Sequence, residues 1–101
     1  MVSNIFDYET CKSSDNFGIK KYKDSHYLGQ LKERKRHGNG VLVSDNGRLY
    51  EGQWLNDKRT GRGYEEFPNG NIYEGMYLNN KAHGKGVYKW KNGELYDGEW
   101  R

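Results

Sequence analysis

Large apolar side chains in this chain recur two residues apart. Tyr50-Glu51-Gly52-Gln53-Trp54 sets aromatic, glycine and aromatic at alternate positions with polar residues between them. Tyr73-Glu74-Gly75-Met76-Tyr77 and Tyr96-Asp97-Gly98-Glu99-Trp100 follow the same plan. Alternation of this kind places the aromatics and the glycine on one face of a β-strand. A helical stripe is absent, and glycine recurs too often for helix. The pattern predicts strands near 27–31, 40–44, 50–54, 63–67, 73–77, 86–90 and 96–100, with a degenerate strand over 17–22 and Lys23 to Ser25 in a turn.

The pattern has a fixed period. Tyr27, Tyr50, Tyr73 and Tyr96 are spaced 23 residues apart, and Gly29, Gly52, Gly75 and Gly98 keep the same step. Gly38, Gly61 and Gly84 repeat it, as do Gly40, Gly63 and Gly86. Each unit reads as a hairpin. A first strand leads into a polar loop such as Leu55 to Thr60, and a second strand ends at Asn46-Gly47, Asn69-Gly70 or Asn92-Gly93. Asn-Gly is expected to form type I′ turns, because both residues accept positive φ. The expected product is an open, elongated antiparallel meander of β-hairpin repeats, solenoid-like in its growth. It divides into a non-repeat segment 1–16, a degenerate half repeat 17–26, repeats 27–49, 50–72 and 73–95, and a partial unit 96–101.

Composition narrows the picture. The chain has 101 residues, of which 33% are hydrophobic and 31% charged. That is one domain at most, too small and polar for a thick core. Nine Tyr and three Trp argue against disorder. A thin core made of aromatics remains. A glycine between two aromatics leaves a gap in which a neighbouring strand's ring can lie, so Tyr50, Trp54, Tyr73, Tyr77, Tyr96 and Trp100 are expected to form a ladder along one face. Each adjacent pair adds roughly 0.5–1.5 kcal/mol beyond its buried area. The ladder is read chiefly as structure, with partner contact, or a platform on which carbohydrate or bases stack, as its alternative use.

These residues carry a family resemblance. Y-E-G-Q-W, T-G-R-G-Y, Y-E-G-M-Y, H-G-K-G-V and Y-D-G-E-W resemble the MORN (membrane occupation and recognition nexus) repeat across roughly residues 27–101. Thr60 stands where that pattern has His, and Leu31 where it has an aromatic. The resemblance implies a non-catalytic scaffold of the kind found in cytoskeletal, ciliary and membrane-skeleton assemblies. It implies no cofactor.

Charge adds a second candidate surface. The formal net charge is +3. Lys35, Lys58 and Lys81 repeat at the period, as do Arg36 with Arg59 and Arg62 with Lys85. Equivalent residues should lie roughly 10 Å apart, as a positive ridge along one edge of the sheet. Such a ridge suits an anionic membrane or an acidic protein, or serves only to keep the sheet soluble and its edges unpaired. Glu51, Glu74 and Asp97 should point away from the tyrosines as a polar face, with Lys or Arg as cross-strand partners.

No catalytic or metal constellation emerges. His37 and His83 are two repeats apart, too distant to share an ion, and are expected to bond within their own hairpins; His26 stands alone. Gly38-Asn39-Gly40 lacks the following helix of a phosphate loop. Acidic residues interleaved with the basic ones argue against nucleic acid. Cys11 is the single cysteine, so no disulfide framework forms, and a reducing, cytoplasmic setting is expected. Partner contacts are expected at the strand over 96–100 and at residues 1–16, where Ile5, Phe6 and Tyr8 offer apolar surface. Two readings follow: a structural subunit of a larger assembly, or a peripheral membrane adaptor working through the lysines.

Overall fold

The computed structural model describes residues 16–100. Eight strands follow in chain order: β1 (Phe17–Lys21), β2 (Ser25–Lys32), β3 (Lys35–Ser44), β4 (Leu49–Leu55), β5 (Lys58–Glu66), β6 (Ile72–Leu78), β7 (Lys81–Lys89) and β8 (Leu95–Trp100). They form one sheet in the order β1 to β8, every neighbouring pair antiparallel, with no crossover. The sheet does not close, and its extents are 40 × 26 × 23 Å. The all-β open meander expected from the two-residue alternation is the fold observed. Cys11, Ile5, Phe6 and Tyr8 lie outside the described residues.

Register explains how so polar a chain folds. Gly18, Gly29, Gly40, Gly52, Gly63, Gly75, Gly86 and Gly98 are successive cross-strand neighbours, a bare lane across all eight strands. On the same face, Lys20, Tyr27, Leu42, Tyr50, Glu65, Tyr73, Tyr88 and Tyr96 form the adjoining row. Tyrosine rings from this row lie down over the glycines. A Cβ on Gly40 would sit 2.1–2.4 Å from the Tyr27 ring and hydroxyl, and one on Gly86 would be 2.3–2.6 Å from those of Tyr73. The rings therefore cover the second glycine of each hairpin. The glycine between two aromatics is required for another reason: a Cβ on Gly75 would meet Gly86 Cα at 2.4 Å, so there the opposing backbone fills the gap.

The hairpin turns differ from expectation. Each polar loop is a two-residue turn with positive φ at both positions: Glu33-Arg34, Asn56-Asp57 and Asn79-Asn80. These are the type I′ turns, and the flanking strands run right to the tips. At Asn46-Gly47 only the glycine has positive φ (96°). Gly47 N donates to Ser44 O at 3.0 Å and Ser44 N to Arg48 O at 2.8 Å, a three-residue loop closed by a left-handed glycine. The asparagine side chain serves this loop directly: Asn46 Oδ1 accepts from Arg48 N at 3.1 Å, and Asn69 and Asn92 repeat the bond.

Candidate functional site

The face carrying the tyrosines and glycines, the front face, is the candidate site. Tyr27, Tyr50, Trp54, Tyr73 and Tyr77 form its buried core, and Trp100 packs partly buried against them. Their rings meet edge to face in one zigzag: Tyr27–Trp54 5.5 Å, Trp54–Tyr50 5.0 Å, Tyr50–Tyr77 5.2 Å, Tyr77–Tyr73 5.2 Å, Tyr73–Trp100 5.5 Å and Trp100–Tyr96 5.2 Å. Interplanar angles of 82–89° are those favoured by ring quadrupoles. The hydroxyl of the first tyrosine in each unit donates to a carbonyl three residues on: Tyr27 to Gln30 at 2.7 Å, Tyr50 to Gln53 at 2.9 Å, Tyr73 to Met76 at 2.8 Å and Tyr96 to Glu99 at 2.9 Å. A polar end tied to its own strand lets a tyrosine replace a wholly apolar side chain in a layer this thin. Tyr96, at 43% exposure, is the open end of the ladder.

Three arginines overlie the rings. The Arg36 guanidinium lies 4.4 Å from the Trp54 ring centre, and Arg59 lies 5.6 and 5.3 Å from those of Tyr50 and Tyr77. Arg36 and Arg59 are each clasped by the tip of the next hairpin. Arg36 Nε and Nη2 donate to Asp57 Oδ1 and O, both at 2.9 Å, while Arg59 Nη2 donates to Asn80 O at 2.7 Å. Main-chain bonds from Asp57 N to Arg36 O and from Asn80 N to Arg59 O reinforce the same junctions. Arg48 lies 5.3 Å from the Phe67 ring centre.

Glu65 is the charged residue that the sequence pattern did not single out, and it is 2% exposed. Its oxygens accept from Arg59 Nη1 at 3.0 and 3.1 Å, and it also accepts from Arg48 Nε and the Tyr77 hydroxyl. Burial and the Glu65 carboxylate push the Tyr77 hydroxyl well above the ordinary tyrosine range, and Arg59 opposes them without prevailing. Burial likewise raises Tyr50. At the neighbouring clasp, burial would raise the Asp57 carboxyl, but hydrogen bonds from Arg36, its charge and that of Lys20 outweigh it and hold the carboxyl below its usual value.

The ridge expected from the sequence is divided between two faces. Lys35, Lys58 and Lys81 open β3, β5 and β7 on the back face, exposed at the hairpin tips, and Arg62 and Lys85 lie exposed on that face too. Arg36 and Arg59 point to the front, because adjacent residues of a strand face opposite ways. The back face is also less polar than expected. The cross-strand neighbours of Glu51, Glu74 and Asp97 are Val41, Tyr64 and Val87 instead of Lys or Arg. Tyr64 is 1% exposed and donates to Glu66 at 2.6 Å; burial, Glu66, Glu51 and Glu74 all raise its hydroxyl.

His37 bonds outside its own hairpin: its Nδ1 accepts from Asn56 N at 3.4 Å, in the next tip. Thr60 performs the same task through Oγ1, which accepts from Asn79 N at 3.3 Å, so its replacement of His is conservative in function. Among the described residues no group of three His, Cys, Asp or Glu side chains is placed to hold a metal ion.

Around the arginines the front face sinks into a groove of about 310 Å³, lined by Arg36, Leu42, Arg48, Tyr50, Trp54 and Arg59 among others. A smaller depression of about 170 Å³ continues along the face past Phe67, Tyr88 and Trp100. What the face can do is hold another molecule by shape, by guanidinium hydrogen bonds and by contact with ring edges.

Comparison with known proteins agrees with this architecture. No curated protein matches the chain. The family model of the MORN repeat matches three consecutive stretches, residues 27–47, 50–72 and 73–94. Those stretches coincide with the hairpin units built on Tyr27, Tyr50 and Tyr73, and the chain belongs to the MORN repeat family.

Proposed function

We propose that the chain is a non-catalytic docking scaffold whose front face holds a partner protein within a larger cytoplasmic assembly. The observation that carries this reading is the front groove. It places guanidinium N–H groups beside tyrosine and tryptophan edges, on a floor fixed by the glycine lane and the clasped hairpin tips. Aromatic and arginine side chains are the residues that contribute most at protein interfaces. A floor locked in advance loses little freedom on binding. The family resemblance supports an assembly of the cytoskeletal, ciliary or membrane-skeleton kind. The test compares proteins retained from a cytoplasmic extract of the native source by the unchanged chain and by Ser44→Trp, which fills the groove and leaves every ring of the ladder unsubstituted. The scaffold reading expects a set of proteins lost with Ser44→Trp and kept when Lys35, Lys58 and Lys81 are all changed to Glu. Retention of the same set by Ser44→Trp would refute it.

A second reading has its own observation. On the back face, Leu55 (49% exposed) pairs across the hairpin with Lys58, and Leu78 (44%) with Lys81. Exposed leucines beside lysines at hairpin tips suit insertion at an anionic membrane surface. Flotation with phosphatidylserine vesicles tests it. Binding should fall with Leu55→Ser plus Leu78→Ser, and also with the triple lysine reversal. Binding that survives both sets of changes would end the membrane reading.

A further inference from the structure

Successive repeats offer the same stage with different occupants. In the second repeat, Arg59 is clasped by Asn80 and Glu65 lays its carboxylate against Arg59 Nη1, with Arg48 reaching in from the other side. One period earlier the equivalent positions hold Arg36, Asp57 and Leu42. Arg36 is clasped in the same manner through Nε and Nη2. Leu42, however, has no carboxylate to offer Arg36 Nη1. The space above Leu42 is the front groove, which Arg36 and Arg48 both line. Among the described residues the Arg48 guanidinium donates through its Nε, to Glu65, leaving both Nη groups to the groove at a side chain 45% exposed. Among the described residues three guanidiniums, Arg36, Arg48 and Arg59, share two carboxylates, Asp57 and Glu65, so one positive charge there has no carboxylate of its own.

We infer that the groove accepts an acidic side chain of a partner protein, its carboxylate lying above Leu42 between Arg36 Nη1 and the Nη groups of Arg48. The incoming carboxylate does in the first repeat what Glu65 does in the second. The chain thus contains a template for its own ligand: a carboxylate over a floor of aromatic rings, bonded to an arginine that a neighbouring hairpin holds still. Guanidinium–carboxylate pairing sets the chemistry, and the apolar neighbours Leu42, Tyr50 and Trp54 select a partner segment that carries apolar residues next to the acid. This inference rests on the docking reading above, whose groove it uses.

Leu42→Glu supplies the carboxylate from within and occupies the site; Leu42→Gln matches its size without the charge. The probe is a short fluorescein-labelled peptide of alternating Glu and Leu, followed by fluorescence anisotropy at low salt, with the Gln-Leu peptide as its neutral counterpart. The Glu peptide should bind the unchanged chain and Leu42→Gln alike, and bind Leu42→Glu about tenfold more weakly, the worth of one charge-assisted pairing. The Gln-Leu peptide should bind the unchanged chain and Leu42→Gln about tenfold more weakly than the Glu peptide does, with no such difference between the peptides on Leu42→Glu. Thermal melting of Leu42→Glu at or above that of the unchanged chain confirms that the loss is occupancy and not unfolding. Equal binding of the Glu peptide by Leu42→Glu and Leu42→Gln overturns the inference, and so does binding of neither peptide. If both peptides bind equally and both are lost in Ser44→Trp, the carboxylate site falls while the docking face stands. If Glu-peptide binding survives Ser44→Trp, the docking face falls.

Discussion

Alkaline pH should unfold this sheet, and the tyrosines say how strongly. Tyr50, Tyr64 and Tyr77 are 2%, 1% and 5% exposed, and burial raises each hydroxyl well above the ordinary value of 10.0. Tyr77 and Tyr64 also donate to Glu65 and Glu66, so the carboxylates further disfavour tyrosinate. The folded chain keeps these protons at a pH where the unfolded chain has lost them. Stability from these groups is therefore complete below pH 10.0 and declines as pH rises above it. One pH unit higher, the three together remove roughly 4 kcal/mol. That approaches the whole stability of a small domain, roughly 5 kcal/mol at the low end. Tyrosinate absorbance and far-ultraviolet circular dichroism, recorded together along a pH series at constant ionic strength, provide the assay. The buried tyrosines should ionise in one cooperative step coincident with loss of strand signal. Independent ionisation near the free value, with the strand signal intact, would refute the ladder as a proton-tight core.

The remaining predictions concern single side chains. Gly40→Ala should cost about 3 kcal/mol or more by thermal melting, because its Cβ would overlap the Tyr27 ring. Gly47→Ala, with nothing within 4 Å and a φ of 96°, should cost only about 1–2 kcal/mol of backbone strain, and equal losses for the two would contradict the ring-over-glycine packing. Glu65→Ala strands Arg59 and the Tyr77 hydroxyl, and chemical denaturation should register a loss of about 3–5 kcal/mol. Asp57 has a lowered folded value, so its contribution is complete above 3.8 and fades as pH falls below it. Asp57→Asn should flatten the acid limb of the stability–pH curve, with the Asn80 clasp as its precedent; an unaltered acid limb would show that the Arg36 pair contributes nothing.

The repeating frame, the strand order and the ring ladder were legible in the sequence because each follows from one rule, side chains alternating about a strand, applied at positions 23 apart. The turns were harder to read. Asn-Gly satisfies both a two-residue turn and a three-residue loop with a left-handed glycine, and composition does not separate them. Asn56-Asp57 and Asn79-Asn80 did carry a signal, since asparagine and aspartate are the non-glycine residues most tolerant of positive φ. Glu33-Arg34 takes the same conformation without that signal, so only the repeat could assign it. The arginines were misplaced for want of parity: Lys35 and Arg36 are adjacent and cannot share a face, nor can Lys58 and Arg59. Glu65 was hidden because its row holds Leu42 and Tyr88 at the equivalent positions, so the period itself masks the one rung that is charged.

The clasped tips bear on how the molecule responds to tension. Among the described residues strand pairing joins only elements that are neighbours along the chain, and each junction between hairpins adds to that pairing a similar catch, at Arg36–Asp57 and at Arg59–Asn80. Pulled from its two ends, such a sheet opens like a zip, one catch after another, instead of yielding all at once. Each released repeat lengthens the tether by roughly 65–75 Å, the extended span of its residues less the thickness it occupied. A protein built this way can lengthen under load in increments of one repeat.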